Sequence, residues 1–361
     1  NFYFQSLRAG LESGNYDDAN LMLQGIRQFQ EKYSPTQLAD LEKMNLEIKY
    51  NKINIFDRLF ASYGIFGFIM LVLLFVRVLM PKFQMKWTVH VLAILVLLSF
   101  VTHTFGLGMR WYIAGHAPWS NGYESMIFIG WATILAGLIF YKNSPIALAA
   151  TSVLAALIMY VAHLSWMNPE ITNLVPVLKS YWLTIHVAII TASYGFLAMG
   201  MFMGFLNLVF LLLMNKSNRL RIQDKINEIT KINEMTLIVG IYLLTIGTFL
   251  GGVWANESWG RYWGWDPKET WAMVTILVYA FILHMRYVPG LKGVYALNLM
   301  TVIGYFSVLM TYFGVNYYLS GLHSYASGDP MPIPNFVYYA LGIIFIVSVM
   351  AYYKYKKMWS E

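Results

Sequence analysis

Five of the twelve tryptophans fall between residues 254 and 271, in the stretch WANESWGRYWGWDPKETW. Trp254, Trp259, Trp263 and Trp265, joined by Tyr262, offer more aromatic surface than the one or two rings that anchor a helix at a membrane interface. Gly260 and Gly264 remove side chains where a flat ring would lie against backbone, and Arg261 and Lys268 supply cations for ligand carboxylates. The set suits a large planar ligand carrying carboxylates. Haem, a macrocycle with two propionates, has each of these features. The bland alternative is an interfacial girdle of tryptophans that binds nothing.

Asp266 is the candidate for chemistry beyond binding, alongside His186 and His323. Its other role is local: in Asp266-Pro267-Lys268-Glu269 the aspartate reads as a helix N-cap, the proline as the first helical residue and the glutamate as its capping-box partner. Haem iron commonly takes imidazole. Of the seven histidines, His186 at the start of one apolar segment and His323 in a late connection share the tryptophans' side of the membrane and read as an axial pair. His284 follows Asp266 by eighteen residues, about 27 Å along a helix, so it belongs to a second, inner position. His90 is a candidate partner there, or an interfacial residue; His103, His116 and His163 read as structural. In RWYIAGHAPWSNGYE, Arg110 pairs with Glu124 or reaches a propionate.

WGRYWGWDPKETWA, residues 259 to 272, resembles the tryptophan-rich WWD signature of haem-handling membrane proteins. Its Asp-Pro-Lys-Glu-Thr-Trp ending, and the Asn-Gly-Tyr-Glu-Ser at 121 to 125, are similar to the CcsA branch, part of the System II cytochrome c synthetases. The resemblance implies that His186 and His323 hold haem b at the outer face and that His284 helps hold a transmembrane haem. It places the other transmembrane ligand in a CcsB-like portion upstream of this chain. It further implies a holocytochrome c synthase of the haem-thiol lyase class, which adds the two thiols of a Cys-x-x-Cys-His apocytochrome c across the haem vinyl groups. Two competing readings remain: a haem exporter or chaperone that forms no bond, like the CcmC branch, and a structural or quinone-binding membrane subunit.

These residues need a scaffold, and the composition says which kind. Of 361 residues, 58% are hydrophobic and 12% charged, against about 25% charged in soluble proteins. Nine apolar segments, near 59–80, 87–106, 124–141, 145–166, 181–213, 235–254, 270–287, 293–314 and 336–353, mostly approach the ~20 residues a spanning helix requires. The expected fold is all-α and polytopic, with an amphipathic helical pair in residues 1–57, the second helix opening on Ser34-Pro35-Thr36-Gln37, and a haem-handling domain in 58–361. Asn1 is not an initiator methionine and no signal peptide precedes the first amphipathic stretch, so the chain reads as a fragment.

Charge sets the orientation. Lys82, Lys86, Lys142, Lys216, Arg219, Arg221, Arg286 and Lys292 crowd one set of connections, whereas within the membrane part Arg110, Lys179, Arg261 and Lys268 are the basic residues of the other. The second set, with the tryptophans and the N-terminus, is therefore expected to be periplasmic and the C-terminus cytoplasmic, in a bacterial inner membrane. Because the +7 charge is dispersed over short connections, nucleic acid is not an expected partner. There is no cysteine, so any thiol is a partner's, kept reduced by a further protein.

Overall fold

A computed structural model describes residues 2–33, 41–82, 85–164, 167–174, 178–321 and 333–359. They divide into two compact units, 1–53 and 54–361. The first holds α1 (Phe2–Ser13), α2 (Asp17–Tyr33) and α3 (Leu41–Ile53). The expected pair, α2 and α3, is thus joined by a third helix, α1, beyond the two expected. The capping box expected at Ser34 lies outside the described residues. Asp17 and Asp18 in the first turn of α2 favour its N-terminal dipole, and Lys32 its last turn.

The second unit holds α4 (Ile55–Leu79), α5 (Lys86–Ala114), α6 (Gly122–Phe140), α7 (Pro145–Ala162), α8 (Tyr181–Leu213), α9 (Arg219–Trp259), α10 (Pro267–His284), α11 (Val294–Leu309), α12 (Val315–Tyr318) and α13 (Asn335–Trp359). Among the described residues nine helices are long and apolar enough to cross a membrane, and none of those residues forms a strand, so the chain is an all-α polytopic membrane protein. A bilayer core leaves no other open architecture, since backbone groups must be satisfied within each segment.

Small residues set the packing. Ala147, Ala149, Ala150 and Ala155 of α7 are fully or almost fully buried, Gly137 of α6 lies directly against Thr151, and Gly67 of α4 lies against Ser152. With no water to expel, close backbone approach is what holds such helices together. Toward the lysine-rich end, α8, α9 and α11 share a buried polar cluster. Asn207 Nδ2 donates to Asn298 Oδ1 at 2.9 Å and to Thr230 Oγ1 at 3.0 Å, and Asn233 Nδ2 donates to Asn298 Oδ1 at 3.2 Å. It fixes the register of three helices that otherwise present interchangeable apolar faces.

Two helices differ from the sequence expectation in ways that matter for the site. α9 has 41 residues, about 62 Å, twice the ~30 Å of a bilayer core. It carries its helix through the polar 219–234 stretch at one end and through Trp259 at the other. α5 likewise continues to Ala114, so Arg110 is helical rather than part of a connection.

Candidate functional site

The tryptophan-rich stretch is built from a helix end, a short loop and a helix start. α9 keeps Trp254 and Trp259 on its last turns and stops at Gly260, whose left-handed φ of 71° supplies the C-cap. Residues 260–266 then form the loop, and α10 begins at Pro267 behind Asp266. The expected capping box is present: Lys268 N donates to Asp266 Oδ2 at 3.1 Å, while Glu269 Oε2 accepts from Asp266 N at 3.3 Å and from Gly264 N at 2.8 Å. One glutamate therefore pins both ends of the segment displaying Trp265.

Trp265 itself is held at φ 56° and is 68% exposed. A bulky residue in the left-handed region costs of order 1–3 kcal/mol, and here the cost comes with a large aromatic ring left in the open. Tyr262 is 65% exposed, and Trp263 packs edge-on to Trp265 with centroids 5.9 Å apart. Arg261 folds its guanidinium over Gly264, where a side chain would collide with it. Lys268 Nζ donates to Asn316 Oδ1 at 3.1 Å, tying the start of α10 to α12.

Beneath this surface lies His186, in the second turn of α8. Its Nδ1 is 2.8 Å from the Trp182 carbonyl, so Nδ1 carries the proton and Nε2 is left as the basic nitrogen. The ring is 6% exposed and stacks on Trp254 at 5.3 Å and 28°; Trp254, 1% exposed, meets Trp259 edge-on at 4.7 Å. Gly251 and Gly252 make these approaches possible. A Cβ on Gly251 would lie 3.8 Å from His186 Nε2, and one on Gly252 would lie 2.9 Å from the Tyr262 carbonyl, so the loop folds back onto bare helix. That glycine pair, one turn before Trp254, is a signal the sequence reading passed over.

Two further supports also escaped it. Trp119 Nε1 donates to the Thr184 carbonyl at 2.9 Å, bracing the first turns of α8 against the segment before α6. Ser180 Oγ donates to Glu257 Oε2 at 2.7 Å and joins the ends of α8 and α9. A π-helical turn, Met310–Gly314, follows α11 and sends Tyr312 across to α6, where its hydroxyl is 2.5 Å from Ser125 Oγ.

Other expected site residues lie elsewhere. Arg110 is 1% exposed and forms the ion pair with Glu124, Nε to Oε1 at 2.8 Å, while its Nη1 and Nη2 donate to the carbonyls of Pro169 and Glu170 at 2.9 and 3.1 Å. A guanidinium so engaged would have to give up buried partners to reach a propionate. His284 is exposed on the last residue of α10, with Nδ1 2.7 Å from the Ala280 carbonyl. His90 is likewise exposed and bonds the Lys86 carbonyl. His103 is buried with Nδ1 3.3 Å from Tyr63 Oη, His116 bridges the carbonyls of Ala117 and Thr172, and His163 pairs with Asp57. His323 lies outside the described residues.

Residues 119–323, more than half of the chain, match the family model described as cytochrome C assembly protein. Protein NrfI of Wolinella succinogenes is 45% identical over 333 residues; the match covers 91% of this chain but 36% of NrfI, so the chain spans little more than a third of that relative. The cytochrome c biogenesis protein CcsA of Prochlorococcus marinus strain MIT 9313 is 36% identical over 272 residues, covering 65% of this chain and 84% of that protein, and CcsA of strain SARG is 36% identical over 252 residues, covering 61% and 78%. The matched region contains the glycine pair, the capping box, His186 and every tryptophan of the aromatic surface, and the chain belongs to the cytochrome c assembly family as a CcsA-type cytochrome c biogenesis protein.

Proposed function

We propose that this chain is the CcsA-like, catalytic-face portion of a cytochrome c synthetase that carries haem to the periplasmic side of a bacterial inner membrane and attaches it to apocytochrome c. The observation that carries the reading is the His186–Trp254 stack beneath the exposed Tyr262 and Trp265, an imidazole with its Nδ1 fixed and its Nε2 set beside a bare glycine. Haem here is substrate and cargo. His186 and His323 ligate its iron, Trp254, Trp259, Trp263 and Trp265 border the ring with Tyr262, and Arg261 and Lys268 face its propionates.

The attachment itself needs no redox step. Each substrate thiol adds across a vinyl group, sulfur bonding one carbon and hydrogen the other, so the thiols must arrive reduced and a thiol-reducing partner must keep them so. The chain's share is position, which lowers such barriers by up to ~7–11 kcal/mol in ideal cases. The incoming histidine of Cys-x-x-Cys-His then displaces one of the two ligands. His284 contributes to an inner haem position completed by a CcsB-like portion, with the N-terminus periplasmic and the C-terminus cytoplasmic.

The test is expression of the complete protein with an apocytochrome c reporter, reading haem absorbance of the purified membrane protein and covalent haem on the reporter. Haem in both supports a synthase. Haem in the membrane protein with none on the reporter indicates an exporter or chaperone, and haem in neither indicates a structural subunit.

A further inference from the structure

α8 carries His186 and α10 carries the end of the tryptophan stretch, yet among the described residues these two helices barely touch. A ligand and an aromatic platform that face one ring must keep their spacing to within about half an ångström. The end of α9 supplies one connection, through the His186–Trp254 stack and the Ser180–Glu257 bond. The π-helical turn Met310–Gly314 supplies a second. Thr311 is 1% exposed, and its hydroxyl lies 3.2 Å from the Trp271 carbonyl and 3.0 Å from Thr275 Oγ1, both on α10. Asn316, five residues on, accepts from Lys268 Nζ at 3.1 Å, again on α10. Between them Tyr312 turns the other way. Its hydroxyl is 2.5 Å from Ser125 Oγ and donates to the Gly122 carbonyl at 3.2 Å, and its ring meets Tyr194 of α8 edge-on at 6.3 Å. Tyr194 is eight residues beyond His186, about 12 Å along the same helix.

An uninterrupted α-helix would place residues 311 and 316 about 140° apart, so only one of them could address α10. The extra residue of a π-turn returns residue 316 to the face of residue 311, and such turns within α-helices recur at functional sites. Gly314 makes the turn possible, since a Cβ there would overlap the Met310 sulfur. We propose that this turn positions the tryptophan-bearing start of α10 against the helix that carries His186, with Thr311, Tyr312 and Asn316 as positioning residues for the bound haem ring. They act through Trp271, Tyr194 and Lys268 rather than on the ring itself: Thr311 holds the first turns of α10, Tyr312 ties them to α6 and α8, and Asn316 orients the ammonium that faces a propionate. The proposal rests on the reading of His186 as an outer haem ligand.

Paired variants of the complete protein test it. Thr311→Val and Asn316→Leu keep much of the side-chain shape and lose the polar tie, whereas Thr311→Ser and Asn316→Asp keep the tie. Loss of one such hydrogen bond predicts haem retention weakened about two- to tenfold in the first pair, with an altered haem absorption band, and retention close to wild type in the second. Equal behaviour of the Leu and Asp variants, or haem loss that simply follows melting temperature across all four, overturns the proposal. Hydrogen exchange on the haem-free protein gives an independent reading. Amides of residues 259–272 should exchange faster in Thr311→Val and Asn316→Leu, while those of α8 around Tyr194 stay as in wild type. Unchanged exchange over 259–272, or faster exchange there with haem retention intact, also overturns it. If the wild-type protein carries no haem, the synthase reading falls, and the exchange pattern still decides whether the turn holds α10.

Discussion

His186 and His284 are both membrane-helix histidines whose Nδ1 bonds the carbonyl four residues earlier, and there the likeness ends. His186 is 6% exposed, stacked on a buried tryptophan, with glycine opposite its Nε2 and a capped loop overhead. His284 stands exposed at the last residue of α10, its nearest described aromatic neighbour being Tyr287 with centroids 6.2 Å apart. A lone intramembrane imidazole is costly without a partner. The first position is therefore enclosed by this chain's own side chains, whereas the described residues build no such enclosure around the second. The difference teaches that conserving hydrogen-bond geometry on a ligand does not make a site; the opposite wall does.

The sharpest way to break this contrast is to remove each imidazole. His186→Ala should abolish most outer haem, and added imidazole should restore part of the absorbance, since the tryptophan and glycine walls remain. A milder probe is Gly251→Ala: its methyl stands at an ordinary packing distance from the ring, so folding should persist, yet it occupies space beside Nε2 and should weaken haem retention. Unchanged spectra in both variants would remove His186 from the site. His284→Ala should leave the spectrum of this chain and its thermal stability as they are, and lose inner haem when the upstream CcsB-like portion is present. Equal haem loss with and without that portion would show the inner site to be complete here.

The next effect separates two tryptophans that sequence alone treats as equals. Trp254→Ala empties a buried volume and should destabilise the fold by about 3–5 kcal/mol. Trp265→Ala removes an exposed ring from a strained backbone, so stability should hold or rise slightly while haem occupancy falls. Trp265→Gly should be the more stable of the two, because glycine accepts positive φ without strain. Thermal melts read beside haem absorbance decide this, with the exposed Trp87 as the control that should change neither. Similar melting losses for both variants would mean that the aromatic surface is core rather than binding face.

How much of this was legible follows from which forces are local. The nine apolar segments, the Asp266 capping box and the Arg110–Glu124 pair could be read because hydropathy, cap chemistry and a nearby counter-charge act over short stretches. The division of labour among the tryptophans could not. Whether Trp254 lies under the loop or on it depends on α9 continuing to Gly260, and an amphipathic end such as WANESW gives no stop signal before that glycine. The glycine pair at 251–252, the Trp119 brace and the Asn207–Asn233–Asn298 cluster depend on which helices become neighbours. No window of sequence contains that information.

The smallest effect concerns Asp266, where a cap and a chemical group can be told apart. Asp266 is 6% exposed and its carboxylate accepts from Lys268 N in the completed capping box. Asparagine caps helices about as well as aspartate, whereas alanine costs ~1 kcal/mol at such a position. If capping is the whole role, Asp266→Asn should match wild type in melting temperature, haem content and covalent haem on the reporter. Asp266→Ala should then lower stability by about 1 kcal/mol and loosen the loop that Glu269 pins, with a modest haem loss through Trp265. If instead the carboxylate charge acts on haem or on an incoming thiol, Asp266→Asn would keep its stability and lose reporter yield. We expect the first outcome, because the side chain faces the α10 backbone and a glycine, Gly321, packs directly against its carboxylate.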